Sequence, residues 1–371
     1  MLGFLSTLVA TARASYLPVI GADTGGRFGY LEEPGPTAGN GVGIGSVYRA
    51  SPTPGTVTGY RWDVNGTAVL ESGGHYARPY AINDAGTIVG AARYPARWDA
   101  GGTALTVLGG LDMGTVGLTA GEVRTVNNAG TSAGFVEKYQ DGRFVGLRAV
   151  RWSAGQTSAE PLDGLGTDAN GDTDTFANSI NSSGIIVGSA RKHVAGMDVG
   201  TRAVRWNSDG ADVTELGVLG TMPTGYTEAL AYRVNEAGTS VGYSWRFEAG
   251  ASSGKRVAAR WDGSGTAATA LVHPDGIKTG SAVDINNAGT AIGSVEEYVD
   301  AIQRQHAMRW DAGQAIGVPL GEFGSANANS LALAINEDGI TVGSITDENV
   351  SAAMWLPDGT PVRLNSLIDP A

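Results

Sequence analysis

The sequence predicts an all-β fold, a β-propeller of about seven four-stranded blades. Three observations lead to this prediction. A motif with a turn signature recurs about every 50 residues, a strand that ends in Arg-Trp follows most copies, and glycine supplies 57 of the 371 residues. Such a composition is typical of many short strands joined by tight turns. Two alternatives stay open: six blades plus an N-terminal extension, and an open stack of β-repeats.

The recurring motif reads apolar-Asn-x-x-Gly, with a second Gly four residues after the first. We expect its Asn side chain to bond to backbone two residues on and open a type I turn. The first Gly then takes a left-handed conformation that closes a β-hairpin with a bulge. Copies occupy Ala81–Gly90, Thr125–Gly134, Ser179–Gly188, Arg233–Gly242, Asp284–Gly293 and Ala334–Gly343, and a degenerate copy begins at Asn40.

A second hairpin follows in each unit, because turn residues such as Asn207–Gly210 and Pro357–Gly359 come directly after the repeated Trp. Two hairpins give four strands, and a lone four-stranded sheet cannot bury both faces. We therefore expect the repeated Trp to pack between blades. The Arg before it is expected to stack on an aromatic ring and to pair with a carboxylate or carbonyl of the neighbouring blade, rather than to form an anion-binding ring. The repeated Trp residues are Trp62, Trp98, Trp152, Trp206, Trp261, Trp310 and Trp355.

Residues 1–14 resemble a signal-peptide leader, because Gly3–Ala12 is apolar and a small-x-small site precedes Ser15. Residues 15–371 are predicted to form one propeller domain. Its approximate repeat units are 15–75, 76–117, 118–172, 173–225, 226–276, 277–330 and 331–371.

Charge and composition exclude several functions. The net charge of −12 disfavours nucleic acid as a partner, because a phosphate backbone requires a basic surface. The absence of cysteine excludes disulfides and thiolate catalysis. No other stretch has the apolar length of a membrane span, so we predict no integral membrane span. The sequence leaves the oligomeric state open.

Three linked motifs resemble the bacterial extracellular repeats called the HAF family: the Asn-x-x-Gly block, the x-Ala-x-x-Trp strand and a Leu-Gly-x-Leu-Gly segment. The copies closest to that family are His306–Trp310 and Leu216–Gly220. The resemblance covers the chain from about Asn40. It implies a secreted or cell-surface bacterial propeller, and no enzymatic activity is shared by that family.

Unequal segments lie between the second strand and the Arg-Trp strand, and they differ completely in sequence. Insertions at one point of a repeat emerge at one edge and commonly bind partners. They are Phe135–Leu147, Ser189–Thr201, Tyr243–Val257 and Ser294–Gln305, whereas the second repeat has only Ala91–Ala96. The candidate binding residues are Trp245, Arg246, Phe247, Tyr139 and Tyr298, and long structural hairpins are the equal alternative.

One segment has the spacing of a calcium loop, because Asp168, Asn170, Asp172 and Asp174 place oxygen side chains two residues apart. It lacks a downstream bidentate Glu, so a plain turn is favoured and no cofactor is predicted beyond this candidate.

The function predicted is that of an exported, non-catalytic propeller that binds a protein or glycan. The alternatives are a propeller hydrolase or lyase, and a structural surface or matrix component. An enzyme requires an irregular cluster of acids, His or Tyr on the innermost strands, and the sequence shows none.

Overall fold

The computed structural model describes residues 29–31, 42–49, 56–63, 66–111, 119–210, 212–247, 254–299, 302–322, 328–346 and 350–364. These residues form seven four-stranded antiparallel sheets, each with its strands paired in chain order, and contain no α-helix. The fold is a seven-bladed β-propeller, as the repeats predict. The predicted leader, residues 1–14, lies outside the described residues.

Each repeat unit contributes one sheet, whose strands are called first to fourth in chain order. Sheet one has β1 (Gly29–Leu31), β2 (Gly43–Arg49), β3 (Thr56–Asp63) and β4 (Gly66–Val69). Sheet two has β5 (Arg78–Ile82), β6 (Ile88–Ala92), β7 (Tyr94–Trp98) and β8 (Leu105–Val107). Sheet three has β9 (Gly121–Val126), β10 (Ser132–Gln140), β11 (Arg143–Trp152) and β12 (Glu160–Pro161). Sheet four has β13 (Thr175–Ile180), β14 (Ile186–Val194), β15 (Met197–Trp206) and β16 (Val213–Glu215).

The remaining three sheets repeat the same order. Sheet five has β17 (Ala229–Val234), β18 (Ser240–Arg246), β19 (Lys255–Trp261) and β20 (Ala268–Ala270). Sheet six has β21 (Thr279–Ile285), β22 (Ala291–Val299), β23 (Ile302–Trp310) and β24 (Val318–Pro319). Sheet seven has β25 (Asn329–Ile335), β26 (Thr341–Thr346), β27 (Val350–Trp355) and β28 (Pro361–Arg363).

The chain divides into two compact units, each with its own buried clusters. The first comprises Met1–Asp163, Asn170–Gly184 and Ser208–Asp212, and the second comprises Gly164–Ala169, Ile185–Asn207 and Val213–Ala371. In the first unit Trp152 packs with Val89 and Val123 of the preceding and same sheets. In the second, Trp261, Trp310 and Trp355 each occupy a separate cluster. Six of the seven repeated Trp residues are fully buried in the core, as predicted, whereas Trp62 is partly exposed.

The second Gly of the motif sits where the first strand bulges. In sheet five the register shifts between Ala231 and Arg233. The bulge presses the carbonyl oxygen of Leu230 towards Gly242, where an added Cβ would overlap it. Only Gly fits this close approach. The bulge thus lies within the first strand, opposite the second Gly, as well as at the turn that the sequence predicts.

Strand alternation gives each sheet two different ends. The turns from first to second and from third to fourth strand share one end, which carries the repeated motifs and is called here the repeat end. The hairpin between second and third strands lies at the other end, called the variable end. Insertions in the sequence all fall in that hairpin, as β10–β11, β14–β15 and β22–β23 show.

Candidate functional site

The motif Asn links neighbouring sheets at the repeat end. Nδ2 of Asn83 donates to the backbone oxygen of Asn127 (3.0 Å), and Asn235 donates likewise to Asn286 (3.1 Å). Further such bonds join Asn127 to Asn181 and Asn286 to Asn336. Each side chain therefore connects one turn to the next.

The same Asn closes its own turn, although not as the sequence analysis expects. Oδ1 of Asn83 accepts from the backbone N–H of Thr87, four residues on rather than two (2.9 Å). The left-handed Gly86 (φ 86°) lengthens the loop by one residue, so the nearest free donor is the amide that follows it. Asn235 and Thr239 repeat this bond at 3.0 Å.

The Trp and Leu-Gly motifs form a second link. Indole Nε1 of Trp152 donates to the carbonyl of Gly109, which follows the last strand of the preceding sheet (3.0 Å), and that of Trp261 donates to Gly217 (2.8 Å). The amide of Gly217 in turn donates to the carbonyl of Thr266 in the turn after Trp261 (2.6 Å). These bonds explain why the two motifs occur together.

The repeated Arg forms a third link, to the turn after the Trp of the next sheet. Arg205 donates to the carbonyls of Gly263 (2.8 Å) and Gly265 (3.2 Å). Arg97 reaches Gln156, Arg151 reaches Ser208, Arg260 reaches Gln314 and Arg309 reaches Pro357, all through backbone oxygens. The predicted pairing with a carbonyl between blades is confirmed for these arginines, which hold sheets together. The predicted stacking is not seen for them: in the described part of the chain the cation–π contacts involve Arg78, Arg93, Arg124 and Arg256 instead.

Exposed apolar side chains collect at the variable end. Eleven large apolar side chains are exposed among the described residues, and six of them lie beside the tip of a second-to-third-strand hairpin. These six are Phe144 (47% exposed), Val194 (49%), Met197 (66%), Tyr298 (68%), Ile302 (60%) and Val350 (56%). At the repeat end, Ile316 (63%) and Leu356 (37%) lie in connections between third and fourth strands, and Val318 (60%) begins a fourth strand there.

The predicted binding residues differ in their surroundings. Trp245 and Phe247 are partly buried and pack on each other, with ring centroids 5.8 Å apart, while Arg246 between them is exposed. Tyr139 donates to Glu137 (3.0 Å) and contacts the exposed Phe144 edge-on. Tyr298 is 68% exposed. The structure places them on three separate hairpins.

Two of the four calcium candidates, Asp172 and Asp174, bind protein donors through their carboxylates. Asp172 forms an ion pair with Arg143 (2.7 Å), and Oδ1 of Asp174 accepts from the amide of Leu147 (2.9 Å). Asn170 offers its backbone oxygen to Arg143, and Asp168 belongs to the other compact unit. Among the residues that the structure describes, no group of three or more His, Cys, Asp or Glu could hold a metal ion.

The first strands also carry a polar cluster that the repeat motifs did not indicate. Tyr80 of β5 donates to Glu122 of β9 (3.3 Å), and Nε of Arg124 lies 3.6 Å from Glu122. Nη1 of Arg124 donates to Oδ1 of Asn178 on β13 (2.8 Å). The Arg124 side chain is 36% exposed and that of Glu122 is 31% exposed. The first unit therefore holds the irregular acid and Tyr cluster that the sequence appeared to lack.

The signal for this cluster lies three and five residues before the motif Asn. Those positions alternate with buried alanines such as Ala81 and Ala177, so they occupy the opposite face of each first strand, which is partly exposed except at the buried Asn178. In the first unit these positions are mostly polar or charged: Arg78 and Tyr80, Glu122 and Arg124, Phe176 and Asn178. In the second unit they are mostly apolar: Leu230 and Tyr232, Ser281 and Val283, Leu331 and Leu333. Aligning the repeats at this position would have found them.

Two tyrosines near the variable end have raised pKa values. A hydrogen bond to Glu228 is the main cause that raises the pKa of Tyr226 to about 12. Burial, and then the neighbouring Tyr232 and Glu228, raise the pKa of Tyr243 to about 12. Both hydroxyls stay protonated near neutral pH, and the shift moves them away from the range of a general base.

The sequence matches a family model over residues 198–354, and the description of that family is protein of unknown function (DUF3466). No curated protein matches the chain. The HAF resemblance therefore stays a prediction.

Solved structures resemble the fold at low sequence identity. An acylaminoacyl peptidase from Pyrococcus horikoshii is 12% identical with a TM-score of 0.51, and the match covers 92% of this chain and 53% of the peptidase. A puromycin hydrolase is 13% identical with a TM-score of 0.50, and the match covers 99% of this chain and 56% of the hydrolase. An ulvan lyase of family PL25 is 11% identical with a TM-score of 0.40, and the match covers 87% of this chain and 89% of the lyase.

The likeness to the peptidase and the hydrolase shows the fold alone. The chain spans about half the length of the peptidase and of the hydrolase. No helix in the described residues has the length and apolarity to cross a membrane.

Proposed function

We propose that this chain is an exported, non-catalytic propeller that binds a protein partner through the hairpin tips at its variable end. The observation that carries the proposal is the placement of exposed apolar side chains. Six of them stand beside these tips, while the repeated polar residues are used to join sheets. Exposed apolar groups in such numbers are typical of interaction sites.

The chemistry of the tips favours a protein over other ligands. Met197 and Val194 flank one tip, and Tyr298 and Ile302 lie beside another. Flexible Met side chains adapt to irregular apolar surfaces, and Tyr is frequent among the residues that dominate binding energy. The hairpins differ completely in sequence, which supplies the specificity that identical repeats lack.

The non-catalytic part of the proposal is supported by the protonation states of three groups, Tyr226, Tyr243 and Glu297. The Tyr226 and Tyr243 pKa values are shifted upwards, away from a general base. Lys278 donates a hydrogen bond to Glu297 (2.6 Å) and lowers the pKa of that carboxyl group. Glu297 is therefore a poor general acid. A hydrolase or lyase remains the competing function, and the acid and Tyr cluster of Glu122 and Tyr80 is the feature that favours it. Export rests on residues 1–14, and a mature protein beginning at Ser15 is the expected product.

Photo-crosslinking in the producing organism tests the proposal. Replacing Met197 or Tyr298 by p-benzoylphenylalanine should give covalent adducts with one and the same protein, whereas the matched replacement of Leu356 at the repeat end should give none. Adducts with a second copy of this chain would support the matrix alternative instead. Equal adducts at Leu356, or none at Met197 and Tyr298, would contradict binding at the variable end.

A further inference from the structure

We infer that Tyr80, Glu122, Arg124 and Asn178 form a binding site for an uncharged sugar ring. The site lies on first strands of the first compact unit and is separate from the proposed protein-binding tips. The hydroxyl of Tyr80, the carboxylate of Glu122, the guanidinium of Arg124 and the amide oxygen of Asn178 form one continuous chain of polar contacts. Glu122 and Arg124 retain solvent-exposed surface on which a ligand can bind.

The charge of the cluster selects against ionic ligands. Glu122 and Arg124 face each other at 3.6 Å and compensate each other's charge. An anion bound to Arg124 would lie beside the Glu122 carboxylate, and a cation bound to Glu122 would meet Arg124. A sugar hydroxyl is both donor and acceptor, so one ring can donate to Glu122 and accept from Arg124 without a net charge to desolvate.

Two phenylalanines fix the Arg124 side chain in place. Its guanidinium carbon lies 4.7 Å from the ring centre of Phe135 and 5.4 Å from that of Phe176. The two rings meet edge-on, with centres 5.2 Å apart. A donor fork held in this corner loses little conformational entropy on binding. Phe176 is partly exposed and offers apolar surface to the C–H face of a sugar ring.

The repeats supply a control within the same molecule. Tyr232 on β17 occupies the position of Tyr80, three residues before its motif Asn. Its neighbours at the equivalent positions are apolar or small: Leu230, Ser281 and Val283. A site of general affinity for sugars would involve both tyrosines, whereas the proposed site involves Tyr80 alone.

Isothermal titration calorimetry with neutral hexasaccharides of glucose, xylose, mannose and galactose tests the inference, with a galacturonate hexamer as the anionic probe. We expect saturable binding of at least one neutral hexasaccharide. Glu122→Gln and Arg124→Met should each weaken it about tenfold. Tyr80→Phe, which removes a single oxygen, should weaken it about threefold, and Tyr232→Phe should leave it within about twofold.

Melting temperatures show whether each variant is folded. If Glu122→Gln or Arg124→Met does not fold, Tyr80→Phe still tests the site. No binding of any neutral hexasaccharide up to about 10 mM would overturn the site. Binding that is unaffected by Tyr80→Phe, or equally reduced by Tyr232→Phe, would also overturn it. A preference for the galacturonate hexamer would overturn the choice of an uncharged ligand.

Discussion

The two ends of each sheet use side chains in opposite ways. At the repeat end, Asn286 is buried and bonds both its own turn and the backbone of Asn336 in the next sheet. At the variable end, Met197 is 66% exposed in a hairpin whose tip turn, Ala195-Gly196, has left-handed backbone at both residues. A residue that recurs in every repeat of this chain therefore indicates a contact that holds neighbouring sheets together. A segment whose sequence differs between repeats indicates a surface that is available for binding.

The difference follows from the geometry of stacked sheets. A repeat contacts only its neighbours, so its stability depends on the interfaces between units. The Asn, Trp and Arg side chains all form hydrogen bonds across such interfaces, and substituting any of these residues removes a hydrogen bond that joins two sheets. Nothing comparable constrains a hairpin tip, which can lengthen and change sequence at little cost.

Loss of a repeated Trp should have the largest effect. Trp261 is fully buried and donates to Gly217. Trp261→Ala should lower the free energy of unfolding by about 3–5 kcal/mol, since it leaves a cavity and an unpaired carbonyl. Urea titration measures the loss. Trp245→Ala, outside the repeat, serves as the control and should cost less than about 2 kcal/mol. Equal losses would remove the distinction between the two ends.

Loss of a motif Asn should come next. Asn286→Ala leaves the carbonyl of Asn336 and the amide of Thr290 without a side-chain partner. Because the site is buried, we expect a loss of about 2 kcal/mol in the same titration. The neighbouring Asn287 is exposed, and its Oδ1 accepts from the backbone amide of Glu236. Asn287→Ala should cost about 0.5 kcal/mol. The reverse order would contradict the Asn link.

The Arg link should contribute less, because it lies nearer solvent. Arg205→Ala removes donors to Gly263 and Gly265 and should cost about 1 kcal/mol. Arg205→Lys keeps the charge but loses the planar fork, so it should recover little of that stability. Arg246→Ala at the variable end is the control, with an expected change within about 0.5 kcal/mol. Full recovery by Lys would show that charge alone matters.

Most of the fold could be predicted from the sequence, because turn chemistry and repetition are local. Asn83 and Gly86 specify their turn within four residues, and seven of the eight tryptophans mark a single position. The site could not be predicted in this way. Arg124 and Asn178 lie 54 residues apart and meet only when two first strands come together. Exposure at Phe144 or Ile302 depends on where the hairpin ends, which the pattern does not give.

Changes at a hairpin tip should affect stability least. Replacing 194–197 by Asn-Gly keeps the His193–Asp198 pair and a two-residue turn. We expect the free energy of unfolding to stay within about 0.5 kcal/mol. Binding of the partner identified by crosslinking should weaken about tenfold, because Val194 and Met197 are removed. A tip replacement that destabilises the protein as much as Asn286→Ala would show that the hairpin is a packed structural element.

Native-state hydrogen exchange, followed residue by residue, compares the two ends most directly. The amides of Thr239 and Thr290 donate to the motif asparagines at the repeat end. They should exchange only with opening of the whole unit, whereas Val194 and Met197 at a tip should exchange through local fraying at a free energy at least about 3 kcal/mol lower. Equal protection at both ends, or faster exchange at Thr239 and Thr290 than at the tip, would contradict the division between a repeat end that holds the fold and a variable end that is free to bind.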